Sequence, residues 1–441
     1  MTLFSEASAS RQRAHLARLQ DAYTHLLDEH GFDAVAIYSG HARNQYADDQ
    51  QASFAGYGHF IHWTGTATHQ HDWLLIRPGH SPHWCYFAPA DFWHLSTPAP
   101  VGVFADFMTL TPHETTGSLP APVASNGRLA VIGDVASLAL PEGATANPEA
   151  LCHALDELRL FKDAHERYCL FVANQIALEG HRAARTSFAA GGAELDAQLA
   201  YLAATRQRES ELPYQNIVGI NSHAGTLHYQ HYDKYAPDKP RSLLVDAGHR
   251  YLGYCADITR TWSASETDPL FTYLTEGVTD FQRRLIARLA PGVDFVTLHD
   301  EMHQHLGELL VASGIVNTSV EAAIESGLTR AFCPHGLGHS LGVQVHDVAG
   351  RQRDASGAPL PPPARDPALR LTRTLETDMV VTIEPGLYVI PMLLEPFRHG
   401  SQSSTVDWTA VDRLADHGGI RIEDNVMITY NGHDNLTQGE A

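Results

Sequence analysis

The stretch SLLVDAGHRYLGYCADITRTW, Ser242 to Trp262, has two apolar, β-prone arms around a glycine-containing middle and reads as a hairpin. Each arm carries one acid, Asp246 and Asp257, inside otherwise apolar strand sequence. Burying two carboxylates costs several kcal/mol unless a cation or donors compensate, roughly 3–5 kcal/mol for a charge left unpaired. From this hairpin alone the acids could equally sit at strand ends, facing water or capping turns.

A second stretch, PHGLGHSLGVQVHD from Pro334 to Asp347, holds His335, His339 and His346 among three glycines. Gly336, Gly338 and Gly342 permit backbone turns that other residues resist, so the imidazoles can converge instead of lying along one regular element. A glycine-rich loop with solvated histidines is the plainer alternative. Two further acids stand in β-like sequence, Glu384 in VVTIEPG and Glu423 in GGIRIED. On a strand Arg421 and Glu423 point to the same face, which would put an arginine in the same pocket. Together Asp246, Asp257, His339, Glu384 and Glu423 make a hard, oxygen-rich set. It suits two Mn²⁺ ions, with Co²⁺ or Mg²⁺ as alternatives, better than a structural zinc.

Around these motifs the chain divides in two. Leu16, Leu19, Tyr23, Leu26 and Leu27 recur at helical spacing, Gly31 is positioned as a cap, and Ala34 to Tyr38 reads as a buried strand. Strands are expected at Trp73 to Ile76, His83 to Phe87 and Leu129 to Ile132, separated by turns such as Pro78-Gly79 and Asn126-Gly127. We assign residues 1–160 to a smaller α/β domain and 161–441 to an α+β domain. The second is expected to contain helices from Phe161 to about Ala190, Glu194 to Arg206, before Pro291-Gly292, and Thr297 to Ser313. The proline-rich RQRDASGAPLPPPARDPA after Gly350 is expected to be a surface loop. His299 and His303, in HDEMH, approach the spacing of zinc proteases, but Asp300 is too short for the base and the helix has an apolar stripe. They are expected on a solvated face.

Composition narrows the partners. With 30 Lys plus Arg against 51 Asp plus Glu the formal charge is −21 over 441 residues, and no local basic patch offsets it. Nucleic acid and anionic membrane are therefore not expected partners. No apolar run approaches the roughly 18 residues of a membrane helix, and the first twenty residues lack an apolar signal core, so a cytoplasmic protein is expected. Five scattered cysteines without a CxxC pair exclude a disulfide scaffold or cysteine zinc site. There are 28 histidines, and most are expected at the surface, where they would make net charge depend on pH near neutrality.

The five ligand positions, in order and embedded in VDAG, CADITRTW, HGLGHSLG, TIEPG and GGIRIED, resemble the metallopeptidases that comprise Xaa-Pro dipeptidases (prolidases) and aminopeptidases P. YADDQ (Tyr46–Gln50), PYQNIV (Pro213–Val218) and LHY (Leu227–Tyr229) resemble the bacterial prolidases in particular, a group that includes organophosphorus acid anhydrolases. The likeness covers essentially the whole chain. It implies a pita-bread catalytic domain with a dinuclear metal centre, preceded by an α/β domain that closes the site of the other subunit in a homodimer. It implies that Asp246 chelates one metal, Asp257 and Glu423 bridge both, and His339 and Glu384 hold the second, with Glu384 also the acid/base. His228 and His346 would flank the metals as catalytic groups. Arg370, fourteen residues before Glu384, would pair with the carboxylate of an Xaa-Pro dipeptide. Tyr214, Leu227, His335, Val345 and Arg421 would line the substrate pocket, and Asp48 or Asp49 would meet the substrate's amino end across the interface. Two departures from the family pattern stand out: Thr377-Asp378 in place of the usual Pro-Gly, and Gly248-His249 in the turn between the aspartates. Aminopeptidase P activity on longer peptides and a catalytically inactive binding module are the alternatives.

Overall fold

The computed structural model describes residues 6–95, 97–123 and 127–437; Asn126 of the expected Asn126-Gly127 turn lies outside them. Contacts divide the chain into two compact units, one of Met1–Cys169 with Leu252–Tyr254 and Gln352–Ala358, the other of Leu170–Tyr251, Cys255–Arg351 and Pro359–Ala441.

The first unit is built on a six-stranded sheet. Its strands are β1 (Ala34–Tyr38), β2 (Trp73–Ile76), β3 (His83–Phe87), β4 (Thr109–His113), β5 (Leu129–Ile132) and β6 (Thr145–Ala146), in the order β4-β3-β2-β1-β5-β6. Helices α1 (Glu6–His30), α2 (Gly58–Thr64), α3 (Val103–Asp106) and α4 (Glu149–Leu160) complete it. Strand β1 is apolar at every position because both its faces are covered. Val35 and Ile37 join Leu16, Tyr23 and Trp63 in one core, while Ala34, Ala36 and Tyr38 join Trp73 and Val131 in another. Gly31 ends α1 at φ 73°, a left-handed conformation that favours glycine.

The second unit carries its strands in small sheets. β7 (Ile217–Ile220), β8 (Ser242–Ala247) and the later β11 (Ile258–Ser263) form one, in the order β11-β8-β7. The short β9 (Arg250–Tyr251) and β10 (Tyr254–Cys255) pair within the hairpin turn, β12 (Val380–Ile383) pairs with β15 (Asp424–Thr429) and it with β16 (Gly432–Asn435), and β13 (Gly386–Tyr388) pairs with β14 (Gly419–Arg421). Its helices are α5 (Ala164–Ala189), which starts within the first unit, α6 (Glu194–Thr205), α7 (Pro269–Ala287), α8 (Phe295–Ala312), α9 (Val320–Glu325), α10 (Leu328–Phe332), α11 (Pro391–Arg398) and α12 (Trp408–Ala415). Local sequence sets their starts: the Asp268 side chain accepts from the Leu270 N–H before Pro269 opens α7, and Asp294 accepts from the Thr297 N–H at α8.

The hairpin forms as expected. β8 and β11 are antiparallel with Asp246 opposite Thr259 and Ala247 opposite Ile258, so Asp257 falls one residue before β11. A Cβ on Gly248 would come within 2.1 Å of the Ala256 carbonyl oxygen, which is why the turn between the aspartates needs glycine there. At the other departure, Asp378 takes φ 72°, the left-handed conformation that glycine adopts at lower cost. The proline-rich stretch after Gly350 contains no helix or strand. All five cysteines are free thiols.

One expectation about histidine fails. His299 and His303 lie on α8 but are 1% exposed, because α8 turns that face inward and Asp366 sits against it, 3.4 Å from His299 Nε2. Of the other histidines outside the expected site, His15, His59, His62, His113, His165, His181, His249 and His417 are also buried, His25, His80, His94, His231 and His399 are exposed, and the remaining nine are half-buried. Imidazole is compact and half apolar, so a satisfied or neutral ring packs readily in a core.

Burial disfavours the imidazolium and pushes His165 and His249 down to about 4 and His181 and His303 to about 3. His15 moves upward despite its burial, because Asp163 and Glu166 face it. In the unfolded chain the four depressed groups bind protons near pH 6.5 and in the folded chain they do not. Stability is therefore lost as pH falls from about 6.5 toward 4, by roughly 1 kcal/mol per pH unit for each group. The imidazole NMR shifts of His165, His181, His249 and His303 should therefore stay constant in the folded protein from pH 7 to pH 5, and titration of any of them in that range would show that the ring is not held neutral.

Candidate metal centre

Four separate backbone segments deliver the acids and the imidazole, and backbone pairing fixes each against the next. The β8–β11 hairpin presents Asp246 and Asp257. Glu423 joins it through an isolated bridge to Thr259, with the Glu423 N–H donating to the Thr259 carbonyl at 3.0 Å. His339 is tied to β12, its N–H donating to Thr382 Oγ1 at 3.0 Å and its carbonyl accepting from the Thr382 N–H at 2.9 Å. Gly338 is obligatory for that approach, since a Cβ there would lie 1.9 Å from the Thr382 carbonyl oxygen. Glu384 follows β12 directly and donates its N–H to Leu337 at 2.8 Å.

Ligand atoms of Asp257, His339 and Glu423 gather within 4.8 Å of one another, all buried. The imidazole Nδ1–H of His339 donates to the Ser340 carbonyl at 3.0 Å, which points Nε2 at Asp257 Oδ2, 3.3 Å away, and Glu384 Oε1, 3.6 Å away. Asp246 is held differently. Its Oδ2 accepts from Arg421 Nη2 at 2.6 Å, and the Tyr214 hydroxyl stands 2.7 Å from its Oδ1 and 2.6 Å from Asp257 Oδ1. One phenol proton can satisfy only one of those two carboxylates at a time.

The electrostatics are those of crowded acids. Glu423 is pushed well above the usual carboxylate range by burial and then by Asp257, Glu384 and Asp246. Burial raises Glu384 to about 7, with His339 and Arg421 opposing and Asp257 and Asp246 adding. Burial and Asp257 raise Asp246 although Arg421 opposes them. Asp257 goes the other way, because His339 and Tyr214 outweigh its burial. Asp257, His339 and Glu423, with Asp246 and Glu384 beside them, could hold divalent cations, whose charge would relieve that mutual repulsion.

The other residues singled out from sequence fall in two groups. His335 is close, Nδ1 3.7 Å from Glu384 Oε2, and its Nε2 meets the Tyr388 hydroxyl at 2.9 Å. His346 packs edge-on against His339 with ring centres 4.4 Å apart while remaining solvent-accessible. His228 and Arg370 are exposed on loops, and both lie near enough to His346 to disfavour its protonation. Leu227 precedes His228 in a turn, and Val345 precedes His346; both are partly buried. Asp48 and Asp49 are exposed in the first unit, on a turn closed by the Asn44–Gln51 bridge.

Three side chains escaped the sequence reading. Thr259 Oγ1 donates to Glu423 Oε2 at 2.6 Å and accepts from Arg421 Nε at 3.1 Å. Thr382 Oγ1 is 3.4 Å from Glu384 Oε1. Tyr388 accepts from Arg421 Nη1 at 2.8 Å. The threonines could have been found, because each stands two residues from an acid in strand-like sequence and so shares its face. Tyr388 carried no such signal.

A donor set of this kind on a chain of this fold defines a class: residues 169–430 match the model for metallopeptidase family M24 and residues 10–156 that for the Xaa-Pro dipeptidase N-terminal domain, and the chain belongs to the M24 family. An Xaa-Pro dipeptidase of Marinobacter nauticus is 49% identical over 428 residues, 97% of each chain. An Xaa-Pro dipeptidase of Escherichia coli O9:H4 is 40% identical over 440 residues, 98% of this chain and 99% of its own. Among solved structures, aminopeptidase PepP of Pseudomonas aeruginosa (TM-score 0.72) and zinc-substituted E. coli aminopeptidase P in complex with product (0.71) each share 21% identity. Each alignment covers 96% of this chain and 94% of the other, and shows that the fold is theirs, the pita-bread architecture with a preceding domain. Among the described residues no helix is long and apolar enough to cross a membrane.

Proposed function

We propose that this chain is a Mn²⁺-dependent Xaa-Pro dipeptidase that hydrolyses dipeptides with a C-terminal proline. The observation that carries the reading is the convergence of Asp257, His339 and Glu423, with Glu384 beside them, in a chain that matches Xaa-Pro dipeptidases from end to end. Asp246, Asp257, His339, Glu384 and Glu423 would hold two divalent ions, Co²⁺ or Mg²⁺ being the alternatives to Mn²⁺; Asp246 would turn from Tyr214 toward them. Bound there, the ions would polarise the scissile carbonyl and make a water nucleophilic at neutral pH.

The protein's own groups supply the rest. A carboxylate beside the attacking water can accept a proton and return it, and Glu384, 3.6 Å from His339 Nε2, is placed to take the proton of the attacking water and pass it to the leaving nitrogen. That transfer is essential, because the departing proline nitrogen leaves poorly unless protonated. Tyr214, His335 and Arg421 would shape the substrate pocket; His228 and His346 would hold the substrate and stabilise the tetrahedral oxyanion. The same attack suits phosphorus, so organophosphorus triesters are proposed as a side substrate. A homodimer in which Asp48 or Asp49 meets the substrate of the other subunit, in the cytoplasm, completes the proposal.

Arg370 would select a free C-terminal carboxylate by a bidentate pair. The expected result is that Ala-Pro is turned over faster than Ala-Pro-Ala, and that Arg370→Ala raises KM for Ala-Pro by about tenfold to a hundredfold with a smaller change in kcat. Preference of the unaltered enzyme for the tripeptide would replace the dipeptidase reading with aminopeptidase P. Protein that neither binds Mn²⁺ nor cleaves either peptide would replace it with an inactive binding module.

A further inference from the structure

We infer that Glu194 is a positioning residue that sets the place of His228 by tying down the loop from Asn221 to Asp233. The inference rests on the role of His228 proposed above. His228 belongs to no helix or strand: it stands in a turn closed by the Tyr229 N–H donating to the Thr226 carbonyl at 3.2 Å, directly after a single 3₁₀ turn at Asn221–Gly225. Such a loop has no ladder of its own to hold it, and its side chains wander unless something fixed grips the backbone.

Glu194 is that grip. It opens α6, is 1% exposed, and its carboxylate collects four donors from the loop and its edges. Oε1 accepts from the Ile220 N–H at 2.8 Å and from His223 Nδ1 at 2.7 Å; Oε2 accepts from the Tyr229 hydroxyl at 2.8 Å and from the Asp233 N–H at 2.7 Å. The contacts thus bracket His228, at 220 and 223 before it and at 229 and 233 after it. His223 and Tyr229 also stack, ring centres 4.5 Å apart at 22°, which closes the segment on itself above the carboxylate. The Leu195 N–H donates to the Asp233 carbonyl at 3.1 Å, so the start of α6 and the end of the loop are fastened twice.

A buried carboxylate that accepts from four donors of one segment is explained by what it organises. Glutamine fits the same volume but turns one acceptor into a donor, which then faces the backbone N–H of Ile220 or of Asp233, neither of which can accept. Only acceptance is lost, and the metal ligands, none of which touches Glu194, stay in place.

The test compares Glu194→Gln, His228→Ala and the double variant in the Mn²⁺-loaded full chain, with Tyr229→Phe as a milder removal of one donor. Expected are an unchanged metal content and a fall in kcat/KM on Ala-Pro of about tenfold to a hundredfold for Glu194→Gln. The double variant should then be within about twofold of His228→Ala alone, because a residue acting through His228 has nothing left to lose once it is gone. Independent of activity, amide hydrogen exchange of the 221–233 segment should accelerate in Glu194→Gln and, less, in Tyr229→Phe. Multiplying losses in the double variant, lost metal, or unchanged exchange would each overturn the inference. Absence of prolidase activity in the unaltered protein would instead remove the proposed function, and the exchange measurement would still decide whether Glu194 holds the loop.

Discussion

Glu384→Ala should abolish Xaa-Pro hydrolysis, with kcat reduced by about a thousandfold or more even when the variant is supplied with excess Mn²⁺. The size of the effect follows from two roles on one side chain. On the proposed reading Glu384 contributes a carboxylate oxygen, 3.6 Å from His339 Nε2, to the donor set, and it is also the group that takes and returns the proton. Glu384→Gln separates the roles, since the amide oxygen can still reach a cation but cannot carry the proton. We expect Glu384→Gln to keep more metal than Glu384→Ala and to recover little activity. Turnover of Ala-Pro by either variant at more than a tenth of the unaltered rate would refute the mechanism.

Glu423→Gln should produce opposite effects on function and stability. The carboxylate is 2% exposed and faces Asp257, Glu384 and Asp246, and burial with those charges drives its pKa well above the usual range. In metal-free protein at neutral pH its ionised form therefore opposes folding. An uncharged side chain of the same shape removes that penalty and keeps an acceptor for the Thr259 hydroxyl. Metal-free Glu423→Gln should be more stable than metal-free parent by about 1 kcal/mol or more, seen as a higher melting temperature. With Mn²⁺ the order should reverse, because the parent gains the free energy of binding two ions and the variant loses at least one. Activity should fall by about a thousandfold. A variant that melts below the parent without metal would mean that the crowded acids are not the source of the strain.

Much of this was readable in the sequence because it is written in periodicity and local chemistry. Strands β1, β2, β3 and β5 lie where short apolar runs end in turn residues, and Gly31 ends α1 where the helical spacing stops. α5 is shorter at its start than the apolar pattern implied, because Phe161 belongs to an extended break after α4. His299 and His303 were misjudged for a physical reason: imidazole carries no strong preference for inside or outside, and whether such a ring is buried depends on which element covers it. Tyr388 and Glu194 were missed because each acts on partners far away in the chain, Tyr388 on Arg421 and Glu194 on Tyr229 and Asp233.

What the sequence by itself determined was the set of donors: two acids on a hairpin, an imidazole in a glycine-rich turn, and two acids after apolar strands, at spacings that local structure translates into elements. Only the tertiary structure decided how those donors face one another. The bridge from Thr259 to Glu423 and the pairing of His339 with Thr382 join residues 164 and 43 positions apart. Close approaches of that kind are selected by the packing of the whole unit, where a missing Cβ at Gly338 or a hydroxyl at Thr259 has meaning only against its distant neighbour. The same packing turned His299 and His303 inward and made a buried glutamate the anchor of a surface loop.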